Sequence, residues 1–189
     1  MAATIRGVRD DQLDVRTPCG GITVGALLNH VDNLCVAFAA AGTKQRLADG
    51  GQAPAPDASR LGADWRDRLP ARLDTLADGW RSAAAWEGMT RVGGGEMPAQ
   101  VAGAAAIDEV LVHGWDLAVA TGHGFPGDDP ALADTVAAAY AWAKSVVEQG
   151  PGGTPGLFGP PVTVAEDASA FSRLLGLTGR DPGWQPGVQ

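Results

Sequence analysis

Glu109 and His113 stand four residues apart in IDEVLVHGWDLAVATG, a stretch apolar enough to read as a long buried helix. His30 stands in a second apolar stretch, GALLNHVDNLCVAFAAAG. Two imidazoles and a carboxylate at inward-facing helical positions make a ligand set for a divalent metal such as Mn²⁺, Fe²⁺, Ni²⁺ or Zn²⁺. Three protein ligands would leave a coordination position open, as catalytic sites do. At about 100° per residue, Glu109, His113 and Asp116 fall within about 60° on one helix face, which Ala102, Ala105 and Ala120 share. Asp116 is placed to orient a ligand imidazole from behind. The residues also admit plainer readings. Glu-x-x-x-His is the spacing of an ordinary helical ion pair, and a histidine on an apolar stripe is commonly a satisfied core residue.

Other reactive residues rank lower. Cys35 is turned roughly 140° from His30 on its helix and is a poor fourth ligand. Cys19 precedes that helix and could approach the site, although a structural thiol is the plainer reading. His123, in TGHGFP, is expected in an exposed turn, and Trp115 at the edge of the polar face. Two cysteines are too few for a disulfide framework, and the helical rise alone separates them by roughly 16 Å. That fits a reducing compartment.

The elements that must position these residues are helices. The first is expected from about 23 to 41, capped by Thr23 and stopped by Gly42, with Leu27, His30, Leu34, Phe38 and Ala41 on one stripe. A second is expected over 59–80, kinked or split by Pro70. Arg91 to Glu96 reads as a loop, or a short strand or turn. A third helix, over 98–120, is apolar on nearly every side and should be the most buried. A fourth is expected over 130–148, and a short one over 168–177. The pattern predicts an all-α bundle over residues 1–150 with a small C-terminal extension over 151–189.

With 14 basic and 22 acidic residues, a net charge of -8 provides no basic face for nucleic acid or an anionic membrane. No uninterrupted apolar run approaches the roughly 18 residues of a membrane span, and the first residues lack a signal-peptide core. A cytoplasmic protein is expected.

The segment TPCGGITVGALLNHV resembles the TPCPGWTV-x-DLL-x-HV segment of the mycothiol-dependent maleylpyruvate isomerase N-terminal domain family, within the DinB-like metal-binding superfamily. DEVLVHGWDLAVATG resembles its E-x-x-x-H-x-x-D segment, and LFGPPVTV with RLLGLTGRDP resembles the C-terminal part of one branch. The resemblance implies an up-and-down four-helix bundle holding a divalent metal, usually zinc, through His30, Glu109 and His113. It implies metal activation of the thiol of mycothiol, or of another low-molecular-weight thiol, for attack on a small electrophile by transfer or isomerisation. The alternative is a non-catalytic, regulatory protein that binds metal and a small ligand. The family's Pro-Gly-Trp is Gly20-Gly21-Ile22 here, and Ala26 stands where the family's acidic residue would be. Relatives carry a full helix before the segment matching Asp11, where this sequence has ten residues. The first bundle helix is therefore expected to be a stub, or the start codon to be placed late; either way an apolar groove is expected to be exposed unless the C-terminal extension or a partner covers it. A homodimer is one way to cover it.

Overall fold

The computed structural model describes residues 1–48 and 50–187. It is mostly helical, with six α-helices and one β-hairpin: α1 (Ala2–Gly7), α2 (Val24–Gly42), α3 (Trp65–Gly79), β1 (Met89–Val92), β2 (Gly95–Pro98), α4 (Ala99–Ala120), α5 (Ala133–Gln149) and α6 (Ala170–Leu177). Thr23 caps α2, its hydroxyl accepting from the Ala26 amide at 3.3 Å. Short 3₁₀ turns precede α3 (Ala58–Arg60) and α5 (Pro130–Leu132).

Two expectations need correction. The helix predicted over 59–80 breaks at Gly62, in the left-handed region at φ +72°, and Pro70 sits buried inside α3. Only glycine adopts that conformation without strain, whereas the packing of Leu69 and Pro70 offsets the backbone bond that the proline ring forfeits. The all-α expectation omitted the hairpin, whose register pairs Val92 with Gly95 across Gly93-Gly94. Both turn glycines have positive φ, as a two-residue turn between right-twisted strands requires. Helix α2 is apolar and long enough to cross a bilayer, although Asn29, His30, Asp32 and Asn33 interrupt its apolar residues. Most of it is buried against neighbouring helices, as a core helix is.

The long helix α4 organises the core. One face packs with α1, α2 and α3, through Ala102, Ala105, Ala106, Leu117 and Ala120. The other meets α5 and α6 through Leu111, Val112 and Trp115. Burial on two faces is why its sequence is apolar nearly all round. Trp115 belongs to this second core, away from the polar cluster. Asp32 of α2 is buried and ion-paired with Arg68 (3.1 Å) and Arg72 (2.8 Å) of α3, which fixes those helices against each other. Their C-terminal ends nearly touch: a Cβ on Gly42 would lie 2.7 Å from the Gly79 carbonyl oxygen.

Beside the short α1, the expected apolar groove is present as a cavity of about 490 Å³ walled by α1, α3, α4 and the start of α5. No described residue of the C-terminal extension lines it. The extension packs instead on α5 through α6, and its Arg180 reaches α4.

Candidate metal centre

Helix α2 presents His30 and helix α4 presents Glu109 and His113. One ligand atom from each lies within 4.8 Å of the others. The His30 and His113 rings meet edge to face at 5.2 Å between centroids. His113 Nε2 lies 2.9 Å from Glu109 Oε2, and its Nδ1 lies 3.0 Å from Asp116 Oδ2. The small side chains of Ala102 and Ala105 beside them are buried and leave the polar groups room.

Behind this row stands Arg180, separated from Asp116 by 64 positions and almost fully buried. Its Nη2 donates to Asp116 Oδ2 at 3.1 Å, its Nε to Oδ1 at 3.4 Å and its Nη1 to the Thr178 carbonyl at 2.6 Å. Glu109, His113, Asp116 and Arg180 thus form a continuous polar chain through the interior. Cys19 also reaches it, its sulfur lying within 4.8 Å of ligand atoms of His113 and Asp116. The turn that brings Cys19 there is closed by Thr17 donating to the Ile22 carbonyl and Ile22 to that of Cys19, with Gly20 and Gly21 at positive φ.

Burial acts differently on the two histidines. It lowers His30 to about 4, helped by the charges of His113 and Arg180 and opposed by Glu109, so the ring is neutral at pH 7. Burial also opposes charge on His113, but bonds to Asp116, Cys19 and Glu109 outweigh it and hold that ring well above its ordinary range. For Glu109 burial pulls upward and loses to the His113 hydrogen bond and charge, leaving it lowered. Neighbouring Asp108, buried without a partner for Oδ1, is raised well above the carboxylate range, chiefly by desolvation.

The donors fit a divalent cation. His30 Nδ1 is buried with no hydrogen-bond partner among the described residues, a costly state that ligation would relieve. Two imidazoles and a carboxylate are a donor set that zinc and non-haem iron both accept. Of the residues singled out in the sequence, His30, Glu109, His113 and Asp116 come together. Cys35 is buried in the core on another face of α2, and His123 is exposed, bonded to the Thr121 hydroxyl at 2.8 Å. Sequence reasoning missed Arg180. A lone arginine in a Gly- and Pro-rich tail carries no periodic signal; only its place within the resembling RLLGLTGRDP segment marked it.

Fold and site together define a mostly helical protein with a buried two-histidine, one-carboxylate cluster of metal-binding chemistry. The family described as the mycothiol maleylpyruvate isomerase N-terminal domain matches residues 1–118, and the chain belongs to that family. Two proteins of Mycobacterium tuberculosis, from strains CDC 1551 / Oshkosh and ATCC 25618 / H37Rv, are each 31% identical over 152 residues. The alignments cover 75% of this chain and 72% of each relative, and both relatives are described as uncharacterized. No solved structure matches significantly.

Proposed function

We propose that this protein is a divalent-metal-dependent thiol transferase or isomerase in which the metal, zinc by preference, activates mycothiol or another low-molecular-weight thiol for attack on a small electrophile. The observation that carries the reading is the convergence of His30, Glu109 and His113 from two helices within 4.8 Å, inside a chain of this family. A divalent cation there would supply one thing: a bound thiol held as thiolate at neutral pH.

The protein's own residues do the rest. Asp116 accepts from His113 Nδ1–H and so turns Nε2 toward Glu109. Arg180 holds Asp116 from the far side, which fixes the carboxylate that fixes the ring. His30, kept neutral by burial, offers a lone pair without first losing a proton. We also propose that α1 to α4 are the helices of an up-and-down DinB-like bundle with a shortened first member. In this reading residues 1–150 form the metal-binding domain and 151–189 an extension. The protein would work in the cytoplasm, with a small thiol and an electrophile as its partners.

The test is elemental analysis followed by turnover. Purified protein should carry about one equivalent of zinc, which His113→Ala abolishes. With mycothiol, the zinc form should consume maleylpyruvate or a bimane electrophile, and the chelator-treated form should not. Zinc retained by the variant would refute the ligand set. Stoichiometric zinc without thiol-dependent turnover would leave a binding protein and refute the enzyme.

A further inference from the structure

The cavity of about 490 Å³ beside α1 plays no part in the metal reading. Six segments line it, leaving one side open: α1, α3, the turn over 83–86, α4, the loop over 124–126 and the start of α5. Its walls are Leu76 of α3, Trp80 just beyond that helix, Trp86 of the 83–86 turn, Phe125, and Ile107 and Val110 of α4. The chain has 14 basic and 22 acidic residues, yet none of these side chains lines the cavity among the described residues. Thr4 and Thr135 supply its hydroxyls.

The tryptophans are already satisfied elsewhere. Trp80 Nε1 donates to the Phe38 carbonyl and Trp86 Nε1 to that of Trp80, each at 2.9 Å. Both indoles therefore have only ring surface left to offer. They lie edge to face, 4.9 Å apart, and Phe125 is stacked on Phe171 at 5.4 Å. These aromatic walls are held from behind before any ligand arrives, which limits the ordering cost of binding. The volume is that of a small-molecule site. A protein-docking face would bring a polar, charged rim around its apolar centre, whereas here six segments line the space and the Met1 α-amino group is the one ionisable group on the wall among the described residues.

We infer that this cavity binds an uncharged apolar small molecule, an aromatic or alicyclic skeleton carrying no more than a hydroxyl. A cation would lose its hydration and meet no partner on the wall, and an anion would meet only the half-buried Met1 α-amino group, whose charge burial disfavours. On α4 the cavity-lining Ala106 stands two turns from His113 and about 20° from it around the helix, so the cavity borders the candidate metal ligands without including any of them. The inference stands whether or not the cluster binds metal.

The test uses N-phenyl-1-naphthylamine, a neutral fluorophore, titrated into the full chain. We expect saturable one-to-one binding in the micromolar range, with energy transfer from tryptophan. Ala77 is exposed and Thr135 half-buried at the cavity wall, so Ala77→Trp and Thr135→Trp fill it from its edge. Each should weaken the probe at least about tenfold while leaving the melting temperature and zinc content unchanged. Decanoate should not compete, and removing zinc should not alter probe affinity. Absence of saturable binding, or equal binding by both filled variants, would overturn the inference. Loss of binding with zinc would place the probe at the metal cluster and also overturn it. A dimer in sedimentation that both variants dissociate would assign the cavity to a second copy and end the small-molecule reading.

Discussion

Removing Arg180 should destabilise the fold although the residue lies outside the matched part of the chain. Asp116 is fully buried and Arg180 nearly so, and the guanidinium makes two contacts to the carboxylate, at 3.1 and 3.4 Å. Arg180→Met keeps the aliphatic bulk and deletes the charge. Stripping one partner from a buried pair costs about 3–5 kcal/mol, because the other charge stays behind desolvated. Asp116 would still hold His113, so the lower end, about 3 kcal/mol, is expected. Asp116→Asn should cost a similar amount, while the double variant should cost about 2 kcal/mol less than the two together. The assay is urea unfolding at pH 7 with a chelator present, so that metal does not contribute. Zinc affinity, measured against a chromogenic chelator, should fall about tenfold or more in Arg180→Met, since His113 loses its anchored orienter. A single-variant cost below about 1 kcal/mol, or additivity within about 0.5 kcal/mol, would refute the coupled chain.

Three further outcomes are expected. His30 has its folded pKa lowered to about 4 from an ordinary 6.5, so its stabilisation is complete above pH 6.5 and lost as pH falls toward 4. That window sets an upper limit of about 3 kcal/mol, reduced by the ring's partial exposure, and His30→Gln should flatten metal-free stability between pH 7 and 4.5; an unchanged slope would count against it. Cys35 is 2% exposed and its thiol is pushed up to about 12, by burial first and then by Asp32 against the opposing charge of Arg72. Ellman's reagent should therefore titrate one thiol in the folded metal-free protein and two after unfolding, and two fast thiols would contradict that burial. A Cβ on Gly103 would overlap the Trp86 ring, so Gly103→Ala should cost about 1–3 kcal/mol by overpacking, read as a lower melting temperature; an unchanged melt would show that the ring can yield.

The parts of the site legible in the sequence are those written in helical period. Thr23, the apolar stripe through His30 and the stop near Gly42 define α2 to within a residue. The four-residue step from Glu109 to His113 needs only a continuous helix to put both on one side. What escaped depends on contacts between distant segments. Arg180 sits beyond a Gly- and Pro-rich stretch whose path no local pattern specifies. Cys19 approaches His113 because a tight turn folds back on itself before α2. The break in the second helix was assigned to Pro70 because proline costs a backbone bond, yet buried packing there absorbs the cost and Gly62 takes the turn. The hairpin's Gly-Gly signal was visible, but four-residue strands are too short for alternation to declare itself.

The distribution of charge explains how a buried cluster of this kind is tolerable before any ligand binds. Glu109 and Asp116 are answered by His113, whose charged form their hydrogen bonds favour, and by the guanidinium of Arg180, while burial disfavours charge on His30 and Asp108. Opposed charges in hydrogen-bond contact offset desolvation that either would suffer alone. If His30, Glu109 and His113 hold a divalent cation as proposed, His113 would have to give up its proton on the Glu109 side, and metal uptake would release it. The Nδ1 proton shared with Asp116 would remain, because Arg180 holds that carboxylate in place on the opposite side. In the proposed metal site His113 would be the residue through which metal occupancy and the C-terminal segment meet. The extension contributes a charge that the matched part of the chain needs but does not contain.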